Sequence, residues 1–570
     1  MPVGGGTAPT YQWFVNTLQV CTGSTFTYAP QTNDAVYAIM TSNAHCAIGS
    51  PATSNTITMT VTGSSSVAQS GDWNVPATWA NNTVPTSSDN VVIPLGFAVT
   101  INQANAFCYN LVVEGTLSST IGSQTLTVGA DLTLENTITI TGANAVALKG
   151  STTGTGTINV IDGNLIYSGL LPQTISHIAS NAVKSLTTDN KAGVTLPAIL
   201  TVSNLLTINA GAKLTNPDLA SLTVNNVMIM SDVTSGTGTF VDNGLITTTP
   251  GSVANVQQYL TGGRNWYISS PVTNATTGSI STASLVQSYN ESTSLWVPES
   301  STLHVLKGYV ASISTTGVIT FAGAALNTGT MNSGLTRNGL TIKTGYNLVG
   351  NPYPSYLNWD LASAASTNLE TTIWYRTKNA ANPTYVFDTY NASGNIGTSN
   401  NGTEITSMIP LIQAFWVRVA SGFTSGTLAV TNAMRSHEGV VSNRLKARSF
   451  EDLTQQVLRL QVSNGTNSDE AIVLFNVNAA DGLDKYDSEK MTNGNAYVPE
   501  IFTLARTEPV AINGLNSVKT TPELSLGFNT GEVNIFTIKT IEASNFDADT
   551  RIVLKDKQLN IEKELKVGDD

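Results

Sequence analysis

The chain of 570 residues is poor in the groups that most enzyme chemistry needs: it holds 3 cysteines and 4 histidines, and only 11% of its residues are charged. That charged share is less than half of the usual ~25%. Cys21, Cys46 and Cys108 lack metal-ligand spacing, which argues against zinc. Cys21 and Cys46 read either as a disulfide of a small sandwich or as buried thiols, and Cys108, in NAFCYNLVV, reads as a core residue. His45, His177, His304 and His437 are scattered one to a segment, so neither a histidine cage nor a Ser-His-Asp set can be assembled from them. The net charge of −12 excludes nucleic acid as an expected partner, because phosphate binding needs clustered Lys and Arg. No apolar run reaches the ~18–20 residues of a membrane helix, and MPVGGGTAPT has neither the basic nor the apolar region of a signal peptide. Helical segments rich in Glu, Lys, Leu and Ala are also lacking.

The polarity comes instead from Thr, Ser, Asn and Gly. Thr and Val fit a pleated surface, while Asn and Gly accept the positive φ of tight turns. The expected fold class is therefore all-β. Residues 9–62 alternate in short strands about ten residues apart with a Trp on an early one, the pattern of an immunoglobulin-like sandwich. From residue 89 to about 250, triplets of apolar, polar, apolar residues recur: VTI at 99–101, LTV at 126–128, LTL at 132–134, ITI at 138–140, INV at 158–160, VTL at 194–196, LTI at 206–208 and LTV at 222–224. A strand every ~6–8 residues is too dense for hairpins and suits a coil that turns after each strand. Three strands per coil predict a right-handed parallel β-helix of ~20 residues per turn, with the first and third residue of each triplet stacked inside. Residues 255–440 concentrate the aromatics, and 441–570 carry denser charge on alternating strands; both read as antiparallel β-sandwiches, jelly-roll-like. The expected organisation is 1–63 immunoglobulin-like, 64–254 capped β-helix, 255–440 aromatic-rich sandwich and 441–570 C-terminal sandwich.

Open solenoid ends need covering. GDWNVPATWANNTVP lies where the first coil begins, and Trp73 and Trp79 within it read as a structural cap or, if exposed, as a sugar platform. The outward triplet positions Thr100, Thr127, Thr133, Thr139, Asn159, Thr195, Thr207 and Thr223 cannot serve as general acids or bases at neutral pH, so polysaccharide cleavage on the solenoid face is not expected. TTGTGT at 152–157 and SGTGTF at 235–240 lack the Lys and the strand-to-helix switch of a phosphate cradle and read as turns. Asp481, Asp484 and Asp487 in DGLDKYD form a loop set whose oxygen ligands would suit calcium; a solvated loop is the other reading. Trp374 and Tyr375 in TIWYRT, with Tyr385 and Tyr390 in YVFDTYNA, are candidate glycan-stacking rings or core residues.

Several segments carry a family resemblance. YQWFVN, TGSTFTYAP, VYAIMTSNAHC and SPATSNTITMTV resemble the tandem immunoglobulin-like repeats of large surface proteins of Bacteroidota, with Ala38 standing where those repeats carry a second Cys. Gly71, Trp73, Thr78, Trp79, Val84, Pro85, Asp89 and Asn90 match the start of many β-helix surface modules of the same group. The third block resembles a module of type IX secretion substrates through Arg264, Trp266, Ser269, Ser270, Pro271, Gly345, Tyr346, Asn351, Pro352, Tyr353, Pro354, Gln413, Phe415 and Trp416. The resemblance implies a non-enzymatic, extracellular or cell-surface, adhesin-like protein: a stiff β-rich stalk presenting binding surfaces, and the C-terminal part of something longer. It implies as partners the type IX secretion machinery or its outer-membrane shuttle proteins, with a polysaccharide or other surface ligand. A glycan-binding module of a larger secreted protein and, behind it, a β-helix polysaccharide-degrading enzyme are the alternatives. No cofactor is expected beyond structural calcium.

Overall fold

A computed structural model describes residues 8–28, 30, 33–44, 50–59, 63–120, 122–280, 283–338, 344–378, 382–400, 402–437, 455–519 and 523–568. The protein is nearly all-β, 51% strand against 3% helix, so strand pairing and not helix packing has to account for its cores. It divides into two compact units, residues 1–192 and 193–570. No helix of the described residues is long and apolar enough to cross a membrane.

The first unit opens with a five-stranded antiparallel sheet in which Thr10–Val15 lies between Leu18–Thr22 and Ala35–Thr41. Phe14 stacks on Tyr37 with ring centroids 4.9 Å apart. Cys46 and His45 fall outside the described residues, so the Cys21–Cys46 pairing does too.

The chain then winds as a parallel β-helix with three strand-bearing faces. One face stacks Gly63–Ser66, Asp89–Ile93, Leu111–Val113, Leu132–Leu134 and Thr152–Gly154. A second stacks Gly71–Asp72, Ala98–Ile101, Thr116–Ser119, Ile138–Thr139 and the start of Ile158–Tyr167. A third stacks Asn105–Cys108, Thr125–Val128, Ala145–Leu148 and the end of Ile158–Tyr167. The triplets behave as the alternation predicts: Leu126 and Val128, Leu132 and Leu134, and Ile158 and Val160 are fully buried, with Thr127, Thr133 and Asn159 turned outward between them. Cys108 is in that core, and burial pushes its thiol well above the usual range.

Polar side chains repeat with the coil. Asn110 donates to Asn90 at 2.8 Å across a sequence separation of 20, and accepts from the Asp131 backbone N–H at 2.9 Å. Asp131 in turn accepts from the Ser151 N–H and hydroxyl at 2.9 and 2.7 Å, which holds its carboxyl below the ordinary range. Each coil thereby satisfies the turn polar groups of its neighbour, the requirement that a stacked backbone imposes. TTGTGT serves the same stacking: Gly154 has φ +102°, and a Cβ there would lie 2.0 Å from the Leu134 carbonyl oxygen.

In the second unit the same parallel stacking runs through Ile199–Ile208, Ser221–Ile229 and Leu245–Thr248, with Val194–Thr195, Lys213–Asn216 and Thr239–Asp242 on another face. Ala254–Leu260 begins as a solenoid strand parallel to Ser221–Ile229 and is then paired antiparallel along its whole length by Gly317–Gly323. The boundary expected at 254 thus falls at a strand shared by the solenoid and the block after it. An antiparallel partner occupies the edge there, which closes it to further parallel addition.

Residues 264–436 build an aromatic core on two antiparallel sheets, Arg264–Ile268/Tyr309–Ile313/Ala283–Asn290/Leu295–Pro298 and Tyr346–Gly350/Ala414–Arg418/Thr372–Thr377/Val386–Asn391/Ile396–Gly397. The α-helix Trp359–Ala365 starts at Asn358, whose side-chain oxygen accepts from the N–H groups of Asp360 and Leu361. The NPYP run turns inward. Asn351 donates to the carbonyls of Ser355, Ile409 and Pro410 at 2.8–3.2 Å, and the Tyr353 hydroxyl donates to Gly329 O at 2.6 Å. Pro354 O accepts from the Phe240 N–H at 2.9 Å, so this motif docks on the solenoid strand Thr239–Asp242. Residues 456–544 form a seven-stranded sheet, mostly antiparallel, in which Ser468–Phe475 and Glu508–Leu515 run parallel. The parallel pair departs from the expected antiparallel sandwich because Glu500–Ala505 comes between those strands in sequence and pairs antiparallel with Glu508–Leu515 on its far side.

Candidate functional site

The GDW segment forms one end of the first unit's solenoid. Trp73 and Trp79 are 0% and 1% exposed, edge to face at 5.1 Å, and the Trp79 indole N–H donates to the Trp73 carbonyl at 2.8 Å. The Trp73 N–H is bound by Thr100 O at 2.8 Å, and the Thr78 hydroxyl donates to Asp72 O at 2.9 Å. Rings with no accessible face cannot stack on a sugar, so the platform reading of this pair is overturned by its burial.

Three of the four candidate glycan rings are core residues as well. Trp374, Tyr375 and Tyr390 are 0%, 5% and 2% exposed. Trp374 donates to Glu489 O at 3.1 Å, and Tyr390 donates to Asp360 at 2.9 Å. Their strand is covered on both sides, by the aromatic core and by the DGLDKYDSEK segment, so alternation exposes neither set. Tyr385 alone keeps a surface position: it pairs with the Asn265 backbone at 2.9 and 3.0 Å, under Arg376 at 4.8 Å and Lys378 at 5.0 Å.

Asp481, Asp484 and Asp487 do not converge on a cation. Asp484 accepts from the backbone N–H groups of Ala480 and Tyr486, and Asp487 accepts from those of Asp484 at 2.7 Å and Gly514 at 2.9 Å. The oxygens that would ligate calcium are spent on turning the loop, and among the described residues no group of three His, Cys, Asp or Glu is placed to hold a metal. Burial pushes the Asp487 carboxyl up to about 7. The loop works as a strap: the carbonyls of Lys485 and Asp487 both accept from Asn391 at 3.1 Å, and Thr372 pairs with Ser488 at 2.8 Å.

Of the three described histidines, His177 and His437 are held by side-chain hydrogen bonds within the fold. His177 lies between Ser176 and Gly154 O, and His437 between the hydroxyls of Thr215 and Thr239 at 2.9 and 2.7 Å. The backbone N–H of His304 is bound by the Tyr309 hydroxyl at 2.6 Å.

Beside the strap opens a cavity of about 370 Å³, within the ~300–1,000 Å³ of small-ligand clefts. Tyr267, Tyr289, Trp296 and Trp416 form one wall, their rings 4.9–6.1 Å apart and mostly edge to face. Arg376 and Phe387 come from the sheet that carries Trp416, and Glu489 to Gly494 from the last block close the other side. A shallower cleft continues past Arg376 to Asn265, Gln287 and Tyr385. Tyr289 and Trp296 are half-buried and Arg376 is exposed, so ring faces and a guanidinium reach solvent here.

Two buried donors line this cavity with no close acceptor: the side-chain amide of Asn493, and the indole N–H of Trp416, which has only the Tyr267 hydroxyl near it, residues 4% and 6% exposed. Asn493 uses its oxygen to accept from the Phe387 N–H at 3.0 Å, which fixes the amide's orientation. An unsatisfied buried donor costs ~1–3 kcal/mol, and two lining one cavity point to an occupant with acceptor oxygens. Glu489 is the one carboxylate among the described lining residues and is ion-paired to Arg418. The wall offers stacking and hydrogen bonding, without the paired carboxylates of a glycosidase. The residues that matter here, Tyr267, Tyr289, Trp296, Arg376, Trp416 and Asn493, were not those singled out from TIWYRT and YVFDTYNA. Trp416 stood in the QAFWV motif, but Asn493 comes from a different block and carries no local signal.

Neither the curated proteins nor the solved structures yield a match to this chain. A family model described as a domain of unknown function, DUF8693, matches residues 165–569. That span takes in the later solenoid strands, the aromatic block, the strap and the last sheet, and the chain belongs to this family.

Proposed function

We propose that this chain is a non-enzymatic, adhesin-like binding protein of the cell exterior whose ligand is a glycan held in the Tyr267–Trp296–Trp416 cleft. The observation that carries this reading is the conjunction of half-buried aromatic rings with two acceptor-seeking N–H donors in one cavity. Pyranose rings present apolar C–H faces and rows of oxygens, which is the complement of such a wall. The Thr and Asn residues at the outward triplet positions, which exchange no proton at neutral pH, support binding over cleavage. Export by the type IX route, and contact with that machinery or its shuttle proteins, belongs to the same reading and rests on the residues of the NPYP and QAFWV segments.

A glycan array probed with the intact chain tests the binding. Retention of defined glycans that Trp296→Ala abolishes is the expected result; no retained glycan, or retention indifferent to Trp296→Ala, would refute it. Incubation with a polysaccharide panel separates the enzymatic alternative, since released oligosaccharides would show cleavage.

A further inference from the structure

We infer that the sugar taken by this cleft is an acidic one, bound with its carboxylate on Arg376; the inference rests on the carbohydrate-binding reading above. The cleft's charge is the starting point. Lys490 faces Asp469, with which it is ion-paired, and Glu489 is held by Arg418. Arg376 has no ion pair among the described residues. It lies against the Tyr267 hydroxyl and over the Tyr385 ring at 4.8 Å, at the junction of the deep cavity with the shallow cleft. Stacking on Tyr385 and the contact with Tyr267 orient the guanidinium, and its remaining solvent-facing N–H groups are those with which arginine receives a carboxylate.

The hydrogen-bonding inventory has the same sign. The groups in excess here are donors: the Asn493 amide has no acceptor, the Trp416 N–H and the Arg376 guanidinium have only the Tyr267 hydroxyl beside them, and Arg376 meets no carboxylate among the described residues. The carboxylate nearby is already engaged. A neutral sugar brings hydroxyls that both donate and accept, and its donors would find little to bind. A uronate replaces one CH2OH by two acceptor oxygens and a negative charge, which suits donors gathered around Arg376, with Lys378 and Arg264 over the same Tyr385 ring. This charge is local, since the chain as a whole is acidic at −12 and repels polyanions elsewhere.

The test is a titration of the intact chain by calorimetry with a glucuronate-containing disaccharide and its neutral glucose counterpart. The acidic sugar is expected to bind about tenfold or more tightly, the worth of a charge-assisted pair. Arg376→Met is expected to erase that preference, and Arg376→Lys to restore part of it. Because Arg376 is exposed, an unchanged melting curve for both variants verifies their fold. Asn493→Asp, which keeps the acceptor used by Phe387 but places a negative charge in the wall, is expected to weaken the acidic sugar selectively. Equal binding of both sugars would overturn the acidic preference and leave the carbohydrate reading standing. Binding of neither sugar would remove both, and a preference that survives Arg376→Met would refute the role of Arg376.

Discussion

The indole N–H of Trp79 donates to the backbone carbonyl of Trp73 at 2.8 Å, and the two rings meet edge to face beneath the first complete coil. One side chain thereby satisfies a polar group at the solenoid's end and packs its ring, 1% exposed, against Trp73. Trp79→Ala removes both and is expected to destabilise the first unit by about 3–5 kcal/mol, the range for large aromatic truncations. Trp79→Phe retains most of the volume and loses the hydrogen bond, so it should cost less. Thermal unfolding followed by circular dichroism measures the order: wild type above Trp79→Phe above Trp79→Ala.

Arg435 is the second place where one side chain spans separate elements. It donates to Phe240 O at 2.6 Å and Ser355 at 3.1 Å and lies over the Tyr353 ring at 4.7 Å, with Asp242 near enough to favour its charge. Arg435→Met leaves Asp242 and the Phe240 carbonyl without this partner, and breaking such a buried set costs about 3–5 kcal/mol. Limited proteolysis should reveal earlier cleavage between the solenoid strands at 239–260 and the aromatic block. A digestion pattern identical to wild type would contradict the coupling.

Asn351 holds the NPYP turn through three carbonyls. Asn351→Asp keeps the acceptor for the Tyr353 N–H but turns a donor toward three acceptors into another acceptor. A loss of about 1–3 kcal/mol or more is expected from the unsatisfied carbonyls. Urea unfolding monitored by tryptophan fluorescence reads it as a shift in midpoint at unchanged slope.

Asp487 sets a pH dependence. Its carboxyl is raised from 3.8 to about 7 by burial. Between those values the folded protein keeps a proton that the unfolded chain has released, so this group's contribution is full in acid, falls as pH rises toward 7, and is flat above. Glu370, also raised to about 7 by burial, adds to the same trend. The difference in melting temperature between wild type and Asp487→Asn should therefore change between pH 5 and pH 7.5, with the wild type gaining on the acid side. Parallel curves over that range would remove the assignment.

The division between what was legible and what was not follows from the range of the interactions. Period-two alternation with a turn after each short strand leaves a stacked coil as the only arrangement that buries every first and third residue, so Leu126, Leu132 and Ile158 declared the β-helix without any tertiary information. The paucity of His, Cys and charged residues likewise left few catalytic sets to expect from the sequence. Orientation of the aromatics was different in kind. Alternation in TIWYRT assigns residues to two faces but does not say whether both are covered, and Trp374 is covered because a strap about 115 residues away in sequence lies on it. The same strap spent Asp484 and Asp487 on backbone N–H groups, which no spacing rule announces. The cleft is wholly a product of tertiary structure: Trp296, Arg376 and Asn493 belong to three separate stretches, and the sheets that bring them together leave two N–H donors without a close acceptor in the space between. Local pattern decided which residues the protein buries along each strand; only the packing of distant segments decided which polar groups line the cleft.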